Sequence, residues 1–239
     1  VAPIRPSRTG SNTAVTDSRH LRSRHPAADR FVLVKEEHQQ VILAVHRTRQ
    51  GFVEERTATY NRLRGLISEF AIVCPQKIAG LRRALIEHLE ALPGYVNRCV
   101  GDLLAHADAL EVRIAEYDRI IREAAKADAR SRRLMDLPGI GPNTASALLA
   151  SLGTGHDFKN GRQVAAWIGL TPGQYSSGGV SRLGRITKAG DRYLRSLLVM
   201  GAKAILSGLG EKQDRFSRWA RSLVERRGYW KAVVAIAAK

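Results

Sequence analysis

From Glu36 onward the apolar positions of the chain fall at helical spacing. Val41, Val45, Thr48 and Phe52, then Leu63, Leu66, Ile67 and Phe70, mark one face over about thirty-five residues. Gly51 interrupts this run and predicts a division into two helices. Arg47, Arg49, Arg56, Arg62 and Arg64 are interleaved, which assigns most of them to a solvated face and leaves some for nucleic-acid contact. A second helix is predicted from Ile78 to Leu92, closed by Pro93-Gly94. The most regular pattern follows. Leu103, Ala107, Leu110, Ile114, Tyr117, Ile121 and Ala124 alternate spacings of four and three, the seam of a heptad repeat flanked by charges. Such a seam predicts a homo-oligomer through residues 103–124, or else one amphipathic helix packed on its own domain or against residues 78–92, since an intramolecular antiparallel hairpin uses the same seam. Upstream, FVLV at 31–34 is a candidate short strand, and residues 1–30 read as a mobile basic arm rich in Pro, Ser and Arg.

Residues 134–149, LMDLPGIGPNTASALL, change the pattern from periodicity to a motif. Apolar–Pro–Gly–apolar–Gly before an apolar helix is the helix-hairpin-helix order. Gly139 and Gly141 permit a tight turn with positive φ and a close approach. Backbone N–H groups around Ile140, Gly141, Asn143 and Thr144 then open a helix whose N-terminus attracts phosphate. Arg130, Arg132 and Arg133 lie just upstream. A structural helical hairpin with no ligand is the other reading. FKNGRQVAAWIGLTPGQ (158–174) predicts a short helix ending near Gly169, with Trp167 assigned to the core.

The stretch QYSSGGVSRLGRITKAGDRYLR (174–195) raises the sharpest chemical question. Gly178, Gly179 and Gly184 make it a loop or hairpin, and a helix is predicted from Lys188 to Leu206 with Tyr193, Leu194, Leu197, Leu198, Gly201 and Ile205 on its apolar face. Ser176 and Ser177 precede Arg182, Arg185, Lys188, Arg192 and Arg195. A hydroxyl beside such a row could attack a phosphodiester while the cations hold the non-bridging oxygens. No His or carboxylate lies between Asp157 and Asp191 to serve as a local base. A loop that only grips phosphate needs none.

Composition narrows the partner. The chain of 239 residues is 44% hydrophobic and 6% aromatic, which suits a helix-rich protein better than a β-sandwich. Its formal net charge is +17, and residues 134–239 carry 16 Lys or Arg against 6 Asp or Glu. That excess points to a polyanion, because basic contacts to phosphate release condensed counterions. Cys74 and Cys99 are the only cysteines, which excludes a zinc finger and argues against a disulfide scaffold. No apolar stretch approaches the ~20 residues of a membrane span, so no membrane partner and a cytoplasmic location are expected. The opening Val1 and the apolar run AVVAIAAK at 232–239 predict an incomplete chain.

LPGIGPNTASALLASLG, AAWIGLTPGQYSSGG and RLGRITKAGDRYLRSLLVMGAKA together resemble the C-terminal module of the Piv/MooV-type DEDD transposases, the insertion-sequence family numbered 110. RFVLVKEEHQQVILAVHRTRQGFVEERTATYNRLRGLISEF resembles the end of that family's RuvC-like domain. The resemblance implies a DNA recombinase guided by a structured RNA from the element's end. It also implies a RuvC-like half whose four carboxylates hold Mg²⁺ and a serine that becomes covalently joined to DNA. Ser176 or Ser177 fits the serine position, Ser176 slightly the better. Departures accompany it. In NTAVTDS, Asp17 matches one metal-ligand position while Ala14 stands at another, and Val180 replaces a residue often basic in the family. Mg²⁺ is therefore expected not to be competently bound.

The resulting expectation is a mainly α chain in three parts. Residues 1–74 would be the C-terminal part of an α/β RuvC-like domain, 75–130 a helical coiled-coil region, and 131–239 a helical module with the helix-hairpin-helix and the glycine-rich serine loop. The expected function is insertion-sequence transposition by a truncated copy with impaired catalysis. The alternative is a non-catalytic nucleic-acid-binding protein, or one that poisons an intact transposase through mixed oligomers.

Overall fold

The computed structural model describes residues 35–88, 92–175, 179–180 and 182–239. The candidate strand at 31–34, the basic arm, Asp17, Ser176 and Ser177 lie outside the described residues. Residues 35–239 form one compact unit that is mainly helical.

Helix α1 (Glu37–Ser68) runs unbroken through Gly51, so the expected division does not occur. A Cβ at Gly51 would meet nothing within 4 Å. The glycine is a tolerated weak point costing about 1 kcal/mol, and no close contact demands it. The helix starts where the Glu36 N–H donates to Gln39 Oε1 at 2.9 Å. Helix α2 (Ile78–His88) is shorter, and α3 (Gly94–Ala127) begins directly after Pro93.

Helices α1 and α3 lie antiparallel: Arg49 meets Asp118, Phe52 packs edge-on to Tyr117 at 5.5 Å, and the Tyr60 hydroxyl donates to Glu111 at 2.8 Å. The heptad seam expected to join two copies is therefore covered within the chain. Ala107, Leu110, Ile114 and Ile121 are buried in a single copy. The antiparallel packing weighed against the oligomer is the observed arrangement. Tyr60, Leu63 and Ile67 of α1, Leu81 and Leu85 of α2, and Val100 and Ala107 of α3 close one core. Each fully buried large side chain there contributes about 1.5–3 kcal/mol. Arg82 ties its rim together, bonding the Tyr60 hydroxyl and the Asp108 carboxylate.

Asp128 ends α3 in an extended conformation and caps α4 (Ala129–Met135), its carboxylate accepting the Arg130 N–H at 2.7 Å. A turn then leads to α5 (Pro142–Leu152), with Pro at the first helical position where its missing N–H is harmless. Helix α6 (Gly161–Ile168) ends at Gly169 with φ 78°, as the sequence predicts. A two-stranded antiparallel hairpin, β1 (Pro172–Gln174) and β2 (Leu183–Ile186), precedes α7 (Arg192–Ser207). Helices α8 (Arg215–Arg227) and α9 (Tyr229–Ala237) finish the chain. Ala147, Ile168, Leu170 and Leu194 form the core of α5–α7, and Ala202, Ala220, Val233 and Ile236 that of α7–α9.

Candidate nucleic-acid interface

The turn at 136–141 joins two helices, but its two glycines serve different ends. Gly139 has φ 79°, and a Cβ there would lie 2.8 Å from the Gly201 carbonyl oxygen and 2.7 Å from Ile205 Cδ1. A Cβ on Gly201 would in turn lie 2.2 Å from the Gly139 carbonyl oxygen. The close approach that Gly139 permits is made to α7 of the same chain. Gly141 has φ −95°, contrary to the positive φ expected, and the space around its missing Cβ is open. It caps α5 without a side-chain acceptor. The Ile140 N–H is taken by the Leu137 carbonyl at 3.1 Å, Asn143 Nδ2 donates to Asp118 at 3.3 Å, and Thr144 is buried.

The segment TKAGDRYLR (187–195) binds the C-terminus of α6. A Cβ at Gly190 would fall 1.9 Å from the Trp167 carbonyl oxygen. Lys188 adopts φ 55° and donates its N–H to the Gly169 carbonyl at 3.1 Å. Arg195 Nη1 donates to the Ile168 carbonyl at 2.7 Å, so this half-buried guanidinium closes α6. Asp191 accepts the Tyr193 and Leu194 N–H groups and starts α7 at Arg192, four residues later than Lys188. The carboxylate nearest the serine loop in sequence is therefore already engaged as a cap.

Arg182, Arg185, Lys188 and Arg192 have exposed side chains on the hairpin and at the start of α7. The Tyr175 N–H donates to the Arg182 carbonyl at 2.9 Å, which closes the hairpin on both sides of the SSGG segment. Gly173 and Gly184 leave room for the Tyr175 ring, 3.7 and 3.1 Å from where their Cβ atoms would stand. Arg192 occupies the first turn of α7, which holds no acidic residue. A cation there is unfavourable for the helix dipole and favourable for a bound anion.

Sequence reasoning missed a buried polar cluster behind this surface. His46, 1% exposed, bridges three helices. The Ser146 hydroxyl donates to the Pro142 carbonyl at 2.8 Å, so its oxygen accepts from His46 Nε2–H at 2.9 Å. His46 Nδ1 then accepts from the Tyr193 hydroxyl at 2.9 Å. Burial, reinforced by the nearby Arg49 charge, lowers the imidazole pKa to about 4. Burial also raises the Tyr193 phenol. Both groups are neutral hydrogen-bonding parts near pH 7.

Beside them Arg49 makes a two-pronged pair with Asp118, at 2.6 and 3.2 Å. Burial opposes the Asp118 carboxylate, yet Arg49, Asn143 and Arg122 outweigh it and hold its carboxyl below the usual range. Arg49 is therefore not a solvated-face residue, whereas Arg64 Nη2 makes an exposed bond to the Gln76 carbonyl at 2.6 Å. Trp167, assigned to the core, is 40% exposed and packs edge-on to Phe158 at 5.8 Å. Both cysteines are free thiols.

Among the described residues no three His, Cys, Asp or Glu side chains group as metal ligands. No described helix is long and apolar enough to cross a membrane.

Residues 131–218 match the transposase IS116/IS110/IS902 family. Relatives matched over most of the chain support the same family. A probable family 20 transposase of Pseudomonas aeruginosa is 41% identical over 88% of this chain and 64% of its own length. The transposase for insertion sequence element IS1111A of Coxiella burnetii is 35% identical over 89% of this chain and 60% of its own. A pilin gene-inverting protein of Moraxella bovis is 28% identical over 62% of this chain and 45% of its own. The chain thus spans less than two thirds of the relatives it matches. The matched segment runs from α4 to the first turn of α8 and contains the hairpin, the Gly139–Gly201 contact and the exposed basic row.

Proposed function

We propose that this chain acts on DNA in the transposition or site-specific recombination of an insertion sequence. The observation that carries this reading is the hairpin: the SSGG segment is flanked by two paired strands and followed by Arg182, Arg185, Lys188 and Arg192, all exposed, within the family-matched residues. Relatives named transposases and a gene-inverting protein support the same reaction class.

In the proposed step, Ser176 or Ser177 Oγ attacks a backbone phosphorus. The Oγ–P bond forms, the bond to one deoxyribose oxygen breaks, and that oxygen leaves carrying the serine proton. Arg185, Lys188 and Arg192 would hold the non-bridging oxygens as charge develops. Strand choice would come from pairing with an RNA of the element's end. Incubating the protein with labelled element-end DNA, the adjacent RNA and Mg²⁺ tests this on a denaturing gel. A covalent protein–DNA adduct lost in Ser176→Ala/Ser177→Ala supports the serine. Salt-sensitive binding with no adduct rejects it and leaves the second reading, a basic surface that binds without chemistry. The engagement of Asp191 as the cap of α7, which withdraws the nearest carboxylate in sequence from service as a base, favours that reading.

A further inference from the structure

A concavity of about 340 Å³ opens between the middle of α1, the end of α6 and the start of α7. It is large enough for a flat, drug-sized ligand. Trp167, Tyr193, Leu43 and Gly51 are among the residues that line it. Trp167 is 40% exposed, yet its backbone is fixed, because Gly190 packs directly on its carbonyl and Arg195 holds that of its neighbour Ile168. An exposed indole on a fixed backbone offers a stacking surface that needs no ordering upon binding.

The charges select the ligand. His46 lines the concavity as a neutral ring held by two hydrogen bonds. The cations Lys35 and Arg47 on the lining are matched by Glu54 and Asp191, so a bare anion gains little there. Gln50, whose Nε2 donates to Glu54 Oε1 at 2.9 Å, places an amide with both donor and acceptor atoms on the wall. A flat, neutral, polar ring attached to a phosphate chain meets all of these conditions. An apolar peptide would cover the charged groups of the lining and offer them no polar contact, and an acidic one gains little where cations and carboxylates are equal in number.

We propose that this pocket receives one unpaired nucleobase of a nucleic-acid strand, stacked on Trp167 and contacted by Gln50. The proposal rests on the nucleic-acid reading above and adds an unpaired base as its ligand. DNA and RNA both present such a base, and the experiment separates them.

Fluorescence anisotropy would compare a DNA duplex bearing one extrahelical adenine with the same duplex bearing an abasic site, and a matching pair of RNA hairpins. The base-bearing member is expected to bind about tenfold tighter, the value of one base–aromatic stack. Trp167→Ala should erase that preference, and Trp167→Phe should keep most of it. A preference in DNA alone identifies the strand as DNA, and in RNA alone as RNA; either supports the pocket. Equal binding of base-bearing and abasic members in both nucleic acids overturns it, as does a preference that survives Trp167→Ala. Should Trp167→Ala fail to fold, Gln50→Ala with Trp167→Phe decides: an undiminished preference in that double variant also overturns the proposal. Serine adduct formation is read separately, so loss of one conclusion leaves the other standing.

Discussion

Two groups of basic residues in this molecule have opposite fates. Arg49 belongs to HRTR on α1, and Arg185, Lys188 and Arg192 to RLGRITKAGDRYLR around β2 and α7. Arg49 points inward, pairs with Asp118, and sits beside the neutral His46–Tyr193–Ser146 chain that joins α1, α5 and α7. The second group points outward. Their difference shows that a basic residue in a basic protein is informative only once its partner is known. A paired guanidinium organises the fold, whereas an exposed row retains its charge for a polyanion.

The largest expected effect comes from breaking the inner group. Asp118→Ala leaves Arg49 half-buried without its counter-charge and should lower stability by about 2–3 kcal/mol in chemical denaturation. The salt dependence of DNA binding should stay as in the parent, and a changed dependence would refute the division between the two groups.

Acid sharpens the same contrast. The His46 imidazole titrates near 4 when folded and near 6.5 when unfolded, so the unfolded chain takes up the proton first. This contribution to stability is whole above pH 6.5 and is lost as pH falls toward 4. Between pH 7 and pH 5 the loss should be about 2 kcal/mol. His46→Gln should remove that share of the pH slope, and an unchanged slope in the variant would contradict the burial argument.

The smallest effect concerns the outer group. Arg185→Ala/Arg192→Ala should leave stability within about 0.5 kcal/mol. The slope of log affinity against log salt should become shallower by about one for each phosphate that no longer has its cation. A slope equal to the parent's would remove these two residues from the interface.

The helices were largely legible, because the stripe from Val41 to Phe70 and the seam from Leu103 to Ala124 are long and regular. Their partners were not. A seam reports an apolar face and says nothing of whether a second copy or α1 covers it. Gly51 was misread since a lone glycine weakens a helix without stopping it. The helix expected from Lys188 begins at Arg192 instead, because Asp191 caps it and Gly190 adopts φ 93°. His46, Ser146 and Tyr193 lie 100 and 147 residues apart from the histidine outward, so no local spacing connects them. His46 and Arg49 did stand inside a stretch singled out by resemblance, which marked the place without revealing the inward direction of the side chains.

The Gly139–Gly201 contact limits how this protein can vary. Most packed pairs permit exchange: one side chain grows, its neighbour shrinks, and the volume is conserved. Here backbone faces backbone, and neither residue has anything left to give up. A randomised library of α7 and the turn at 136–141 should therefore recover glycine at both positions independently, with no compensating pairs. The two positions would look invariant yet uncorrelated, and a search for co-varying residues would pass over one of the tightest contacts in the matched segment.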